Sequence, residues 1–492
     1  MSLLHFPEPA PIPDAHERQL ALDITESFII EAPAGSGKTG LLIQRLLKLL
    51  ASESVTDPAQ ILAITFTRKA THEMRDRVLE QLANAKTQTF PKDFDRATRP
   101  LAEAALARDR ALGWNLLDHP DRLNISTIDS LCTQIARSLP ILSGAGGQSP
   151  TEDVSDLYTQ AARQTLALLG SQNHAVSQAL ELLLLHRDGD LANCESLIAE
   201  MLAWRDQWGN LIPLTGEQLT DDYLETQTLP RIEKALEQAI CRALTRLDAL
   251  MPPALCHELA HLARRMSSAE GYEGADSPIA LCRELTSAPG TAPHDLEHWR
   301  ALAKLVLTKS ETFRKPTGMQ SRFMGFHLSK QHKAELTNII PNLEAVPGLR
   351  EALCALTTLP PLTYPAEQWL ITKALFRVLS HALIELQLVF SQTGLCDFTE
   401  FSLLARAALL ETSSSDDLAA STGFNLQHLL VDEMQDTSTS QYDLIRLLTR
   451  NWDAHSQTVF LVGDPKQSIY LFRQARVARF IDTLNSRRLG DL

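Results

Sequence analysis

Two short segments of this 492-residue chain lie nearly four hundred residues apart, yet their chemistry is useful only if they meet at the edge of one sheet. The first, Ser27 to Thr39, reads SFIIEAPAGSGKT. It is an apolar run, Phe28, Ile29 and Ile30, followed by a glycine-rich turn that ends in Gly37, Lys38 and Thr39. The second, Leu429 to Ser438, reads LLVDEMQDTS. Here a short apolar run suited to a strand buried on both faces leads into two adjacent acids, Asp432 and Glu433. Parallel strands deliver their carboxyl ends to the crevice where open α/β sheets bind ligands. Paired acids there are expensive unless a cation or a reacting water uses them. Taken alone, they read equally well as a surface pair capping the next helix.

The first segment decides between those readings. After Thr39, residues Leu41, Leu42, Leu46, Leu47 and Leu50 form an apolar stripe at helical spacing, so the glycine turn lies between strand and helix. Gly35 and Gly37 allow successive backbone N–H groups, with Ala34 and Ser36 between and beside them, to face a phosphate at a helix N-terminus that already favours anions. In such a Walker A loop Lys38 reaches the β- and γ-phosphates and Thr39 binds Mg²⁺. One departure is visible: the G-x-x-x-x-G-K-[ST] pattern expects glycine where this chain has Ala32, a small obstruction. In P-loop NTPases the strand-end aspartate holds the metal and a following glutamate orients or deprotonates the attacking water. Asp432 and Glu433 are the residues expected in those roles.

Three further segments narrow the class. Ile61 to Val78, ILAITFTRKATHEMRDRV, predicts a strand running into a charged helix, with Thr65, Phe66 and Thr67 at the strand end. An aromatic between hydroxyls there can stack on a base while the threonines bond phosphate oxygens, although Phe66 as ordinary core filling is the competing account. Asn124 to Leu131, NISTIDSL, predicts another strand ending in polar residues, Thr127 among them, at the same edge. Val459 to Arg473, VFLVGDPKQSIYLFR, predicts a strand that ends at Gly463-Asp464-Pro465 and releases Gln467, Tyr470, Phe472 and Arg473 into a loop. Gln467 is a candidate γ-phosphate sensor, and the aromatics are candidate base contacts.

These segments resemble, in order, the motifs of superfamily 1 DNA helicases of the UvrD/RecB type. APAGSGKT is similar to motif I, AITFTRKA to motif Ia, LLVDEMQDTS to motif II and LVGDPKQSIYLFR to motif III. Gln19, in ERQLALD, sits where the family places a glutamine that reads adenine, and Asp397-Phe398 matches a recurrent dipeptide. The wording APAGSGKT and STIDSLC is nearer to the RecB/AddA, exonuclease V-like, branch. The resemblance implies ATP and Mg²⁺ as cofactors, movement 3′ to 5′ on single-stranded DNA, and a role in repair or recombination. It implies Lys38, Thr39, Asp432, Glu433 and Gln467 at the nucleotide, and Thr65, Phe66, Thr67, Thr127, Tyr470, Phe472 and Arg473 on the strand. In the family a second RecA-like domain supplies the motif IV and VI arginines and an adenine-stacking tyrosine, and this sequence reaches Leu492 without them. Since an arginine finger is worth roughly 10³ to 10⁵ in rate, the isolated polypeptide is expected to turn ATP over slowly, and to need a second subunit or a carboxy-terminal half. The reading from another class is a non-catalytic DNA- or partner-binding module with a switch-like nucleotide site.

The expected fold class is α/β: a RecA-like P-loop domain, a parallel sheet flanked by helices, interrupted by a large and mainly helical insertion. The first part covers 1–140, the insertion 141–394 and the second part 395–492, because Thr151 to Trp208 and Leu229 to Met266 carry Leu and Ala at three-to-four spacing. The net charge of -14 excludes a uniformly basic coat, so a DNA path has to be local. Candidate basic stretches run from Lys304 to Lys333 and from Lys466 to Arg488. Seven dispersed cysteines without C-x-x-C spacing speak against zinc, iron–sulfur or disulfide frameworks. No transmembrane run or signal peptide is expected, which points to a cytoplasmic protein.

Overall fold

The computed structural model describes residues 14–33, 35–138, 147–213, 219–268, 277–315, 322–323, 326–411, 425–453, 456–468 and 477–490. Ala34, Tyr470, Phe472 and Arg473, all expected at the site, lie outside the described residues.

The chain divides into two compact units: one of 1–166, 195–208 and 382–492, the other of 167–194 and 209–381. Of the span 141–394 expected as an insertion, residues 167–194 and 209–381 belong to the second unit, and 195–208 and 382–394 belong with the first.

The first unit is built on five parallel strands: β1 (Phe28–Glu31), β2 (Ile61–Thr65), β3 (Ile125–Thr127), β4 (His428–Val431) and β5 (Thr458–Gly463), in the order β1-β5-β4-β2-β3. Register pairs Ile29 with Leu461, Leu430 with Phe460, Ala63 with Leu430 and Ala63 with Ile125. Every residue of β2, β4 and β5 is buried, which is why these strands read as mostly apolar runs without alternation, with polar residues only at their ends. Helices follow the strand ends: α1 (Ala15–Ala21) precedes β1, then come α2 (Lys38–Leu50), α3 (Arg68–Thr87), α4 (Asp93–Leu112), α5 (Ile128–Ser138), α6 (Phe398–Glu411), α7 (Thr439–Leu448) and α8 (Val477–Ser486).

The expected stripe of α2 is buried at Leu41, Leu42, Leu46, Leu47 and Leu50, in one core with Ala63, Ile125, Leu430, Phe460 and Val462. Arg45 is buried with them. Its guanidinium donates to the carbonyls of Ala21, Asp23 and Glu26 at 2.6 to 2.8 Å and lies 4.6 Å from the Phe460 ring centroid. That fixes the approach of α1 to β1, and so the entry into the glycine turn.

The second unit is helical, with a core in which Leu244, Leu247, Leu259, Met266, Trp299, Leu302, Ile339 and Leu353 meet. One helix, Ala366–Thr393, whose residues up to His381 belong to this unit and from Ala382 to the first, is long and apolar enough by length and composition to cross a membrane, contrary to the expectation that no such run exists. Half of its apolar window is buried against protein. Lys373 pairs with Glu225 at 3.0 Å and Arg377 with Asp221 at 2.7 Å, so the charges that interrupt the run in sequence are satisfied by neighbours. All seven cysteines are unpaired thiols, five of them buried, and among the described residues no group of three or more His, Cys, Asp or Glu side chains is arranged to hold a metal ion.

Candidate nucleotide and nucleic-acid site

The parallel register brings the carboxyl ends of all five strands to one edge, where the expected residues collect. After β1 the chain turns through Gly35 and Gly37 at φ 74° and 85°, left-handed values that an L side chain rarely adopts, and enters α2 at Lys38. Ala32 N–H donates to Gly463 O at 3.1 Å, which ties the start of this loop to the end of β5. Arg18 on α1 donates from its guanidinium to the Ser36 carbonyl and is itself held by Asp14, Nε to Oδ1 3.0 Å. Arg18 was not expected here. Its neighbour Gln19, the expected adenine reader, is exposed on the same helix.

Lys38 and Glu433 meet across the intervening strand β5, with Nζ 3.6 Å from Oε2. The Lys38 side chain is 8% exposed and its Nζ is buried without a hydrogen-bond acceptor, as is Ser36 Oγ. A buried ammonium with no acceptor is costly by itself and matches a site made for a phosphate oxygen. Thr39 follows on the first turn of α2 and is half-buried.

Asp432 is buried at the end of β4. Burial, and then the charge of Glu433, push its carboxyl up to about 6, while the Glu433 N–H, 3.0 Å from Oδ1, pulls the other way. Two carboxylates so close, with a single lysine near them, are the charge pattern that a divalent cation balances. Glu433 has φ 52° and ψ 44°, a left-handed conformation that residues other than glycine rarely adopt, and it precedes a 3₁₀ turn at Met434–Asp436.

Gln435, fully buried, is the joint of the site. Its Nε2 donates to Glu433 Oε2 at 2.7 Å and its Oε1 accepts from Asp464 N–H at 2.9 Å, which links the ends of β4 and β5. A Cβ on Gly463 would stand 2.7 Å from Gln435 Oε1 and 2.7 Å from the Phe480 ring, so that position has room only for glycine. Gln467 is half-buried and donates from Nε2 to Asp464 Oδ2, one step further round the same edge. That hydrogen bond is also the main reason the Asp464 carboxyl sits below its ordinary pKa.

On the other side of β4 the expected strand contacts divide. Thr65 is buried and its hydroxyl lies 2.6 Å from that of Thr71. Thr67 caps α3, accepting from Ala70 N–H at 3.1 Å, and Thr127 accepts from Ser130 N–H at 3.2 Å at the start of α5. All three hydroxyls thus have partners around the helix starts that follow β2 and β3. Phe66 differs: it is half-buried and lines a polar cavity together with Asp129, Asp206, Phe398, Ser438 and Gln441.

Behind that cavity lies a buried charge cluster that sequence reading missed. Arg205, 2% exposed, donates to Asp397 Oδ1 at 2.5 Å and Oδ2 at 2.7 Å and to Glu400 Oε2 at 3.0 Å, while Tyr158 O–H donates to Asp397. Asp397 also accepts from Glu400 N–H at 2.7 Å at the start of α6. The Asp397-Phe398 pair was visible in the sequence; its partner, 192 residues earlier, was not.

The UvrD/REP helicase N-terminal domain family matches residues 14–250 and 325–486. Among curated proteins the chain is similar to the A subunit of the ATP-dependent helicase/nuclease of Exiguobacterium sibiricum, 26% identical over 95% of this chain. It is similar to the proteins of that name from Clostridium botulinum, 23% identical over 96% of this chain, and Lactobacillus delbrueckii subsp. bulgaricus, 28% over 93%. It spans 36%, 36% and 35% of those relatives, about a third of their length. The motif order, the single sheet edge that gathers the motifs and a match over most of the chain agree: this protein belongs to the UvrD/REP helicase N-terminal domain family.

Proposed function

We propose that this chain is the ATP-binding half of a DNA helicase or translocase that moves 3′ to 5′ on single-stranded DNA in repair or recombination, as a cytoplasmic protein. In this reading the sheet unit is a RecA-like domain and the helical unit its insertion. The observation that carries it is the Lys38–Glu433 approach at 3.6 Å, with Lys38 Nζ buried and lacking an acceptor. When bound, Mg·ATP supplies the phosphoanhydride bond whose cleavage drives movement.

The chain's own residues then divide the work. Gly35, Ser36 and Gly37 turn backbone N–H groups toward the phosphates, Lys38 neutralises them, and Thr39 and Asp432 hold the metal. Glu433 orients and deprotonates the attacking water, Gln467 senses the γ-phosphate, and Gln19 reads the adenine. Gln435 keeps Glu433 and the end of β5 in register, so that nucleotide state and the segment after Asp464 are coupled. On the DNA side Phe66 provides a stacking surface.

An arginine brought to the phosphates by a second domain or a partner protein is proposed to speed turnover, so that the polypeptide 1–492 by itself hydrolyses ATP slowly. The relatives are named for one subunit of a larger enzyme, in agreement with a partner. The test is ATPase with and without single-stranded DNA for wild type, Lys38→Ala and Glu433→Gln, before and after adding a candidate second domain. Turnover by 1–492 alone at about ten per second, a typical enzyme rate, contradicts the half-site; no turnover in any combination favours the non-catalytic module.

A further inference from the structure

The basic stretch that begins at Lys304 folds, within the helical unit, around a tight hairpin. Leu307 and Phe313 pair antiparallel, Arg314 N–H donates to Val306 O and Thr308 N–H to Thr312 O, each at 2.8 Å, and Glu311 turns the chain at φ 59°. The hairpin is held on two sides. The Glu311 carbonyl accepts from Arg350 Nη1 at 3.2 Å and from Cys354 Sγ at 3.8 Å, both on the helix Leu349–Thr358. Arg314 donates from Nε and Nη2 to the Lys304 carbonyl, at 3.3 and 3.2 Å, in the last turn of the helix Leu296–Val306.

This folding brings Lys304 from a helix end, Lys309 from the hairpin tip and Arg314 from the returning strand to one cavity of 220 Å³. Among the described residues of its lining Glu311 is the single acid. Both lysines are exposed, and Arg314 is half-buried, which pushes its guanidinium below the ordinary arginine pKa. Three cations against one carboxylate repel one another unless an anion joins them, and in a chain of net charge -14 such a local excess is the exception.

The hydroxyls of the lining are already engaged. Thr308 Oγ1 lies 2.9 Å from Thr312 Oγ1, and Thr357 donates to the Cys354 carbonyl at 2.7 Å. Among the described lining residues none is aromatic, so a base finds nothing to stack on. What the cavity offers is cationic N–H, the chemistry that meets phosphate oxygens. We infer that the hairpin 306–314 is a clamp for a DNA backbone: Lys304, Lys309 and Arg314 hold the phosphates of one stretch of strand without reading its bases. The inference rests on the reading above that the chain binds DNA, and adds a contact within the helical unit.

Fluorescence anisotropy tests it with labelled oligothymidine and with a blunt duplex, titrated from about 50 to 200 mM salt. Wild type is compared with the double variants Lys304→Ala with Lys309→Ala and Lys304→Arg with Lys309→Arg. Each lysine that neutralises a phosphate contributes about one to the slope of log affinity against log salt. The alanine pair is therefore expected to make that slope shallower by about two, and to lower affinity at the lowest salt by about tenfold or more, on whichever form of DNA the clamp holds. The arginine pair is expected to keep both near wild type. Thermal melts and Mg·ATP binding equal to wild type show that fold and nucleotide site are intact. A slope unchanged in the alanine pair on both forms overturns the clamp, as does an equal loss in the arginine pair. DNA binding by wild type in that case leaves the reading above standing, whereas no binding of either form by wild type overturns both.

Discussion

Replacing Arg205 by methionine removes a charge that three acidic or phenolic groups surround while keeping much of the side chain's volume. The guanidinium is 2% exposed and the Asp397 and Glu400 side chains 3% and 9%. Burial alone would push the Arg205 pKa down; Asp397 and Glu400 hold it above its ordinary value instead. Burial likewise works against ionised Asp397, and Arg205 brings that carboxyl below the usual range. Removing the cation leaves two carboxylates facing one another without water, and breaking a buried pair in this way costs about 3 to 5 kcal/mol. With a urea slope of about 3 kcal/mol/M, the unfolding midpoint of the sheet unit should fall by about 1 M or more. The triple variant Arg205→Met, Asp397→Asn, Glu400→Gln removes the stranded charges and should recover most of that loss. The assay is urea unfolding followed by tryptophan fluorescence, with the single and triple variants forming the cycle. A loss below about 1 kcal/mol for the single variant, or a triple variant no better than the single one, would refute the reasoning.

The remaining predictions concern the sheet edge and its support. Burial, aided by Arg45, pushes the His428 imidazole down to about 4 while its Nδ1 lies 2.9 Å from Thr458 Oγ1. The folded pKa is depressed below 6.5, so the stability His428 contributes is complete above about pH 6.5 and is lost as pH falls toward 4, by at most about 3 kcal/mol. His428→Gln should flatten that part of the pH profile in urea titrations at pH 7.5 and 4, and an identical slope in the variant speaks against it. Because Glu433 holds a left-handed backbone, Glu433→Gly should be about 1 kcal/mol more stable than Glu433→Ala although both lack the carboxylate; equal melting temperatures contradict the strain. Arg18→Ala removes the clamp on the Ser36 carbonyl and should weaken Mg·ATP binding about tenfold, the worth of one charged hydrogen bond, as read by titration of a fluorescent nucleotide analogue.

The features legible in the sequence were those whose chemistry is local. The glycine turn, the helix stripe after Thr39 and the all-apolar strands before Thr65, Asp432 and Asp464 each carry their cause within about ten residues. The position of Gln435 as a bridge needed register, because only the sheet order puts Gly463 beside it. The partners of Thr65, Thr67 and Thr127 at the helix starts were not legible in the sequence, because a hydroxyl at a strand end suits a helix start and a ligand equally well. Arg205 and Asp206 were invisible for another reason: they return to the sheet unit from within a long helical stretch, and nothing around them in sequence marks that return. Ala366–Thr393 escaped notice because Lys373 and Arg377 break its apolar run to the eye.

The central claim is that the buried, acceptor-less Lys38 and the acids across β5 form a nucleotide site. Equilibrium binding of Mg·ATP to the 1–492 polypeptide, compared between wild type and Lys38→Ala, tests it most directly. Saturable, Mg²⁺-dependent binding by wild type that falls by a hundredfold or so in the variant, the loss of a charged contact of about 3 kcal/mol, is the predicted result. Equal affinity of the two proteins, or wild-type binding indifferent to Mg²⁺, would contradict it.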